Sequence, residues 1–172
     1  NGKIKDFKFT LLPIFSDLIP ENKEMKKYIE DVRLPYLKEL TRPIATTEET
    51  LFRRGNFNGS WDQIICDALI DVKGAQISLS PGFRWGTSVM PNQTITFDDL
   101  MTQTAMTYPE TYARDIKGSE IKLILEDVAD NLFNEDPFLQ QGGDMVRTGG
   151  ISYKIEKKKK IGERITNIVL SK

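Results

Sequence analysis

The residues of this chain that could do chemistry concentrate in two loops, each combining backbone freedom with charge. The first is SPGFRWG, residues 80–86. Glycines at 82 and 86 let the backbone turn sharply and approach a ligand closely. Between them stands Arg84, flanked by Phe83 and Trp85, so that stacking can hold its planar guanidinium in place. Two parallel N–H donors of that fork match two oxygens of a sulfate, sulfonate or phosphate group. The same residues also suit a tight turn whose arginine packs on Trp85 and pairs with a surface carboxylate, and the local sequence leaves both readings open. The second loop is QQGGDMVRTGG, residues 140–150, in which Gly142 and Gly143 precede Asp144 and Arg147. It again combines freedom with charge, and it serves equally as a connector in which Asp144 and Arg147 pair with each other. A third basic point, Arg53 and Arg54, lies just before Gly55. Only one of two such neighbours can face a given site.

What the sequence lacks is as informative. It has no histidine and one cysteine, which excludes the usual zinc sites as well as Ser-His-Asp and Cys-His nucleophile systems. No tight acidic cluster of the EF-hand kind is present for a calcium or magnesium ion. Hydrolytic machinery, if the protein has it, must lie elsewhere. The 24 basic and 25 acidic side chains leave a formal charge of -1, so the broad basic footprint of non-specific nucleic-acid binding is missing. No apolar run approaches the ~18 residues of a membrane span. Cys66 has no intramolecular partner, and its place in an apolar helical pattern points to a buried, inert thiol.

The elements that must position these loops follow from periodicity. Residues 3–14 alternate apolar and polar, Ile4, Phe7, Phe9 and Leu11 with Lys5, Asp6 and Lys8 between, and read as a strand in need of a partner. From Asn22 the period becomes helical through Met25, Tyr28, Ile29 and Val32, and Pro35 should end or kink the helix near Leu34. Asn58, Gly59 and Ser60 open a second helix whose stripe is Trp61, Ile64, Ile65, Ala68, Leu69 and Val72, stopped at Gly74. Residues 75–80 read as a short buried strand leading into the first loop. Thr96 and Asp99 predict a capping box and a short helix from Phe97 to about Gln103. Residues 107–116 are strand-like but interrupted by Pro109. The strongest helix opens at Ser119 and buries Ile121, Leu125, Val128, Ala129 and Leu132, leaving Glu126, Asp127 and Asp130 on a solvated face. Phe133 and Phe138 suit local core contacts. A hairpin of residues 151–155 and 164–170 closes the chain, with lysines 157–160 as its solvated turn. The expected class is α/β in the α+β sense, a mixed sheet packed with helices, with the loops at 80–86 and 140–150 meeting on one face.

In combination the motifs are more specific. LFRRGNFNGSWDQIICDALI (51–70), AQISLSPGFRWG (75–86), TAMTYPETY (104–112) and EDVADNLFNEDPFLQQGGDMVRTGG (126–150) occur in that order. Over nearly the whole chain this resembles the C-terminal domain of the 5'-nucleotidase superfamily, and within it the SoxB thiosulfohydrolases of bacterial sulfur oxidation. SPGFRWG, EDVADNLFN and QQGGDMVR carry the SoxB likeness.

The resemblance implies a two-domain hydrolase. Its N-terminal metallophosphoesterase domain would carry two manganese ions and the catalytic histidine. This chain would supply substrate-binding residues and no catalytic or metal-binding ones. On that reading residues 1–20 are the last strand of the N-terminal domain, 21–43 the connecting helix and 44–172 the substrate-binding domain. Arg84 matches the arginine of the family's Gly-Gly-Ile-Arg loop, and Arg54 or Arg53 matches a second anion-binding arginine. Tyr108 and Phe138 match only loosely the aromatic pair that clamps a base in nucleotidases, which favours a small sulfonate over a purine. Those enzymes also begin the glycine loop with an asparagine, where this chain has Leu79, Ser80 and Pro81. The implied activity is release of sulfate from a cysteine S-thiosulfonate on a SoxY-type carrier, in the periplasm. Arg84 and Arg147 would orient the sulfonate, Gly82, Gly142 and Gly143 would leave room for the backbone of the carrier's tail, and Phe83, Trp85 and Asp144 would join them as substrate-binding residues. Alternatives are the C-terminal domain of a 5'-nucleotidase, UDP-sugar hydrolase or cyclic-nucleotide phosphodiesterase, and a non-catalytic carrier-docking module.

Overall fold

The structure, a computed structural model, describes residues 2–82, 86–104 and 110–171. The chain divides into two units, Asn1–Leu40 and Thr41–Lys172.

The first unit holds helix α1, Lys23–Arg33, a 3-10 turn at Leu34–Tyr36 and the short helix α2, Leu37–Leu40. The Asn22 side chain caps α1 by accepting from the Met25 N–H at 2.9 Å. Pro35 has no N–H to continue the α pattern, and the chain tightens into the 3-10 turn there. Lys27 and Asp31 pair at 2.8 Å on the polar side, while Met25, Tyr28, Ile29 and Val32 form an apolar face that is exposed. The expected strand over residues 3–14 is absent, and its apolar side chains, Ile4, Phe7, Phe9 and Leu11 among them, are exposed. Alternation decides which face a strand would bury. The ladder itself needs a neighbour's N–H and C=O groups, and none of the described residues supplies them.

The second unit is the α+β body. Its elements are β1 (Pro43–Thr46), α3 (Ser60–Lys73), β2 (Ser78–Ser80), β3 (Thr94–Thr96), α4 (Phe97–Thr104), α5 (Gly118–Phe133), β4 (Arg147–Gly149), β5 (Ile151–Ile155) and β6 (Ile165–Leu170). Among the described residues the strands form three antiparallel pairs, β1 with β3, β2 with β4 and β5 with β6. The expected α+β class holds, and its sheet component takes the form of small antiparallel pairs packed with helices. Strands β1, β3 and β4 are too short to show a period, and β4 lies inside a segment whose glycines read as loop. Of the residues expected to be strand-like at 107–116, 107–109 lie outside the described residues and 110–116 form neither helix nor strand.

Helix α3 starts where expected, by a contact that only glycine permits. A Cβ on Gly59 would sit 2.1 Å from the Phe52 carbonyl oxygen, the same oxygen that accepts from the Trp61 N–H at 3.1 Å. Gly74, at φ +62, ends the helix in the left-handed conformation. The buried face is Trp61, Asp62 and Cys66, whereas Ile64, Ala68 and Val72 are exposed. The apolar stripe therefore predicted the helix correctly but placed its inner face off by part of a turn. In α4, the Asp99 carboxylate accepts from the Thr96 N–H at 2.8 Å, and the Thr96 hydroxyl accepts from the Asp99 N–H at 3.2 Å, completing the expected capping box.

Helix α5 buries Ile121, Leu125 and Ala129 against Met145, Ile151 and Ile165, the main core. A second cluster joins Leu51, Trp61, Val89 and Ile95. Cys66 is fully buried, as expected, and burial raises its thiol pKa. The solvated acidic face expected on α5 is corrected at two positions. Glu126 is buried, and its carboxylate accepts from the backbone N–H groups of Gly162 (2.8 Å), Arg164 (3.2 Å) and Ile165 (2.7 Å), pinning the final hairpin to the helix. Asp130 accepts from the Arg164 guanidinium at 2.5 Å. That bond, seconded by one from Asn134, holds the Asp130 carboxyl below the usual carboxylate range. Asp127 is exposed, as are lysines 157–160. Phe133 packs against the core, but Phe138 stands 91% exposed on a 3-10 turn at Pro137–Leu139 and makes no core contact.

Candidate functional site

Pairing of β2 with β4 places Ser80 opposite Arg147, so the segments that flank the two glycine-containing loops run side by side. They meet closely. A Cβ on Gly82 would lie 2.4 Å from the Met145 carbonyl oxygen and 2.8 Å from the Asp144 Cβ. The smallness of Gly82, read from sequence as room for a ligand, is used up by this crossing of the chain over itself. The Met145 N–H donates to the Asn56 carbonyl at 2.9 Å, which adds the segment after Arg53 and Arg54 to the cluster. The Asn58 side-chain amide reinforces the junction as a strand would: it donates to the Thr148 carbonyl at 2.9 Å and accepts from the Thr148 N–H at 3.2 Å.

Arg53 and Arg54, equivalent as written, occupy opposite environments. Arg53 is buried, with Nε donating to Asp62 Oδ1 at 2.7 Å, Nη1 to the Gln103 carbonyl at 2.6 Å and Nη2 to the Pro81 carbonyl at 3.1 Å. All three bonds lead into the protein, so as placed Arg53 has no surface to offer a substrate. Arg54 is exposed and borders Gly55, whose φ is +113. Of the two, Arg54 alone can meet an anion in solution.

Arg147 is fully buried as well. Its Nη2 donates to the Gly55 carbonyl at 2.8 Å, and its Nε lies 3.2 Å from Asp62 Oδ2, a charge contact without the alignment of a hydrogen bond. Asp144, the partner suggested by sequence, is more distant at 3.9 Å and is half-buried. Direct orientation of a sulfonate by Arg147 does not fit this burial, and Nη1 of Arg147 has no hydrogen-bond acceptor among the described residues. Gly142 and Gly143 are exposed beside Asp144. Phe83, Arg84, Trp85 and Tyr108 lie outside the described residues.

Two residues that sequence reasoning passed over complete the arrangement. Asp62 bridges Arg53 and Arg147, and also accepts from the Gly59 N–H at 2.9 Å. By type and position it resembles an ordinary acid in the first turn of a helix, and nothing local marks it otherwise. Gln103 uses its main-chain oxygen for Arg53 and its side-chain amide to donate to the Thr87 carbonyl at 2.7 Å. The described residues contain no group of three His, Cys, Asp or Glu that could hold a metal ion. No helix among them is long and apolar enough to cross a membrane.

Comparisons with known proteins agree with this architecture. The chain aligns with the SoxB sulfate thiohydrolase of Thermus thermophilus, solved in complex with glycerol, at 34% identity and a TM-score of 0.86, covering 92% of this chain and 30% of that one. A 5'-nucleotidase precursor, also from Thermus thermophilus, shares the fold at 19% identity and a TM-score of 0.64, over 90% of this chain and 30% of that one. This chain thus spans under a third of the length of either. Comparison with curated proteins finds no match. The family model for the 5'-nucleotidase C-terminal domain matches residues 43–172. The chain belongs to the 5'-nucleotidase C-terminal domain family.

Proposed function

We propose that this chain is the substrate-facing domain of a SoxB-like thiosulfohydrolase, which releases sulfate from a cysteine S-thiosulfonate on a SoxY-type carrier protein in the periplasm. The observation that carries the reading is the alignment to a solved SoxB over 92% of the chain at 34% identity, against 19% for the nucleotidase. In the reaction, a water oxygen bonds to the sulfonate sulfur. The bond from that sulfur to the sulfane sulfur breaks, the electron pair stays on the sulfane sulfur, and the water protons are released. Attack and cleavage proceed along one line through the sulfonate sulfur, so the demand on this domain is to hold that group in register.

Arg54 meets that demand as an exposed fork beside the crossing of the two loops. Arg84, carried between Gly82 and Gly86, is the second donor in this reading. Asp144, half-buried beside exposed Gly142 and Gly143, would repel a sulfonate and suits instead the backbone N–H groups of a carrier's tail. The two manganese ions of such an enzyme do not fit the described residues, whose carboxylates form no three-ligand group. The metals belong in this reading to an N-terminal domain, and no step through them is derived.

A nucleotidase reading has one observation in its favour, the 91% exposure of Phe138, which leaves an aromatic ring free to stack on a base. The deciding experiment uses the full-length, manganese-loaded protein and compares sulfate release from a thiosulfonate-modified carrier peptide with phosphate release from AMP. Sulfate without phosphate is the expected result, and Arg84→Ala should abolish it with metal content and folding unchanged. Phosphate release from AMP would overturn the thiosulfohydrolase reading.

A further inference from the structure

We infer that Arg53, Asp62, Arg147 and Gln103 form a buried positioning hub that sets the three substrate-facing segments relative to one another. The inference rests on the site proposed above and assigns it residues that do not themselves touch substrate. Two of the segments are tied to the hub by backbone carbonyls and the third by a side chain. The Gly55 carbonyl, next to Arg54, accepts from Arg147 at 2.8 Å. The loop that carries Arg84 is held on both sides: the Pro81 carbonyl accepts from Arg53 at 3.1 Å, and the Thr87 carbonyl from the Gln103 amide at 2.7 Å. The third segment enters through Arg147 itself, three residues after Asp144.

Asp62 is the centre. One oxygen takes Arg53 at 2.7 Å, the other faces Arg147 at 3.2 Å, and all three side chains are at most 1% exposed. Guanidiniums suit this task because their fork is rigid and delivers several donors in fixed directions. Burial supplies the second condition. In a low-dielectric interior the charge contacts are strong, and breaking one leaves an uncompensated ion, so the hub resists partial rearrangement. Positions of loops that carry ligand groups are then determined by residues a ligand never reaches, a division of labour that accurate binding sites require.

Gln103→Met in the full-length, metal-loaded protein isolates the hub's hold on the Arg84 loop. It removes the donor to Thr87 while leaving the main-chain oxygen that serves Arg53. The KM for the thiosulfonate-modified carrier peptide should rise roughly tenfold, with kcat within about twofold. A residue important only for stability would lower the urea midpoint and leave KM unmoved at temperatures where the protein is folded. Wild-type KM in Gln103→Met therefore refutes the hub. Arg53→Lys provides a second reading should Gln103→Met fold poorly, because an ammonium cannot reach Asp62, Gln103 and Pro81 together. Arg84→Ala is measured alongside. If it abolishes activity or raises KM while both hub variants behave as wild type, the hub fails and the site stands. If it too is without effect, the site fails along with the hub. A KM increase in the hub variants supports positioning whichever arginine carries the contact.

Discussion

Replacing Glu126 with glutamine should destabilise the chain by about 3 kcal/mol, far beyond what so conservative a change costs on a surface. The carboxylate is 2% exposed and offers one oxygen to Ile165 N–H and the other to Gly162 and Arg164 N–H. An amide has one accepting oxygen. In whichever orientation keeps more bonds, the Gly162 and Arg164 bonds survive without charge assistance, at roughly half their former strength. The Ile165 N–H then faces an NH2 group inside the core, and an unsatisfied buried donor costs about 1–3 kcal/mol by itself. Urea unfolding followed by far-UV circular dichroism measures the effect as a fall in midpoint at constant slope. Asp127→Asn, one position along the same helix and exposed, should stay within about 0.5 kcal/mol. A change below about 1 kcal/mol in Glu126→Gln would mean that the three backbone contacts contribute little and that the hairpin is held by its apolar face alone.

Other consequences are simpler to test. Asp130 has its folded pKa depressed by Arg164, so its contribution to stability is fully present above the unfolded carboxylate value near 3.8 and is lost as pH falls through the folded value; Asp130→Asn should therefore flatten the acid limb of the stability profile below about pH 4. Gly82→Ala should destabilise strongly, because its Cβ would meet Met145 backbone at 2.4 Å, whereas Gly118→Ala, with nothing within 4 Å, should be neutral or mildly stabilising in thermal melts. Cys66 is fully buried with a raised thiol pKa, so labelling by a maleimide should follow unfolding rather than reagent concentration.

The parts of the fold legible in sequence are those whose cause is local. Helices α3, α4 and α5 and the final hairpin carry their period and caps in a window of a few residues, and Thr96 with Asp99 is read directly as a capping box. Residues 3–14 show the limit of the same reasoning: their alternation is real, but a strand depends on a partner the window does not contain. The candidate site divides along the same line. Sequence marks Arg53 and Arg54 as equal candidates; which of them faces outward depends on Asp62, Pro81 and Gln103, up to fifty positions away along the chain. Glu126 looked like a solvated acid because its three donors sit 36 to 39 residues downstream. Gly82 reads from sequence as a place where a ligand comes close, but the group that approaches it is Met145.

The unequal ratio within the buried cluster, one carboxylate to two guanidiniums, also restricts the order in which substitutions can accumulate at these positions. Loss of Asp62 first would remove the one carboxylate that both buried guanidiniums share, and few neighbouring changes could replace both contacts together. Loss of either arginine first leaves a balanced pair, still buried and still paired. Lineages that drift away from this arrangement should therefore pass through sequences that keep Asp62 with a single arginine, and sequences with both arginines and no acid at position 62 should be rare.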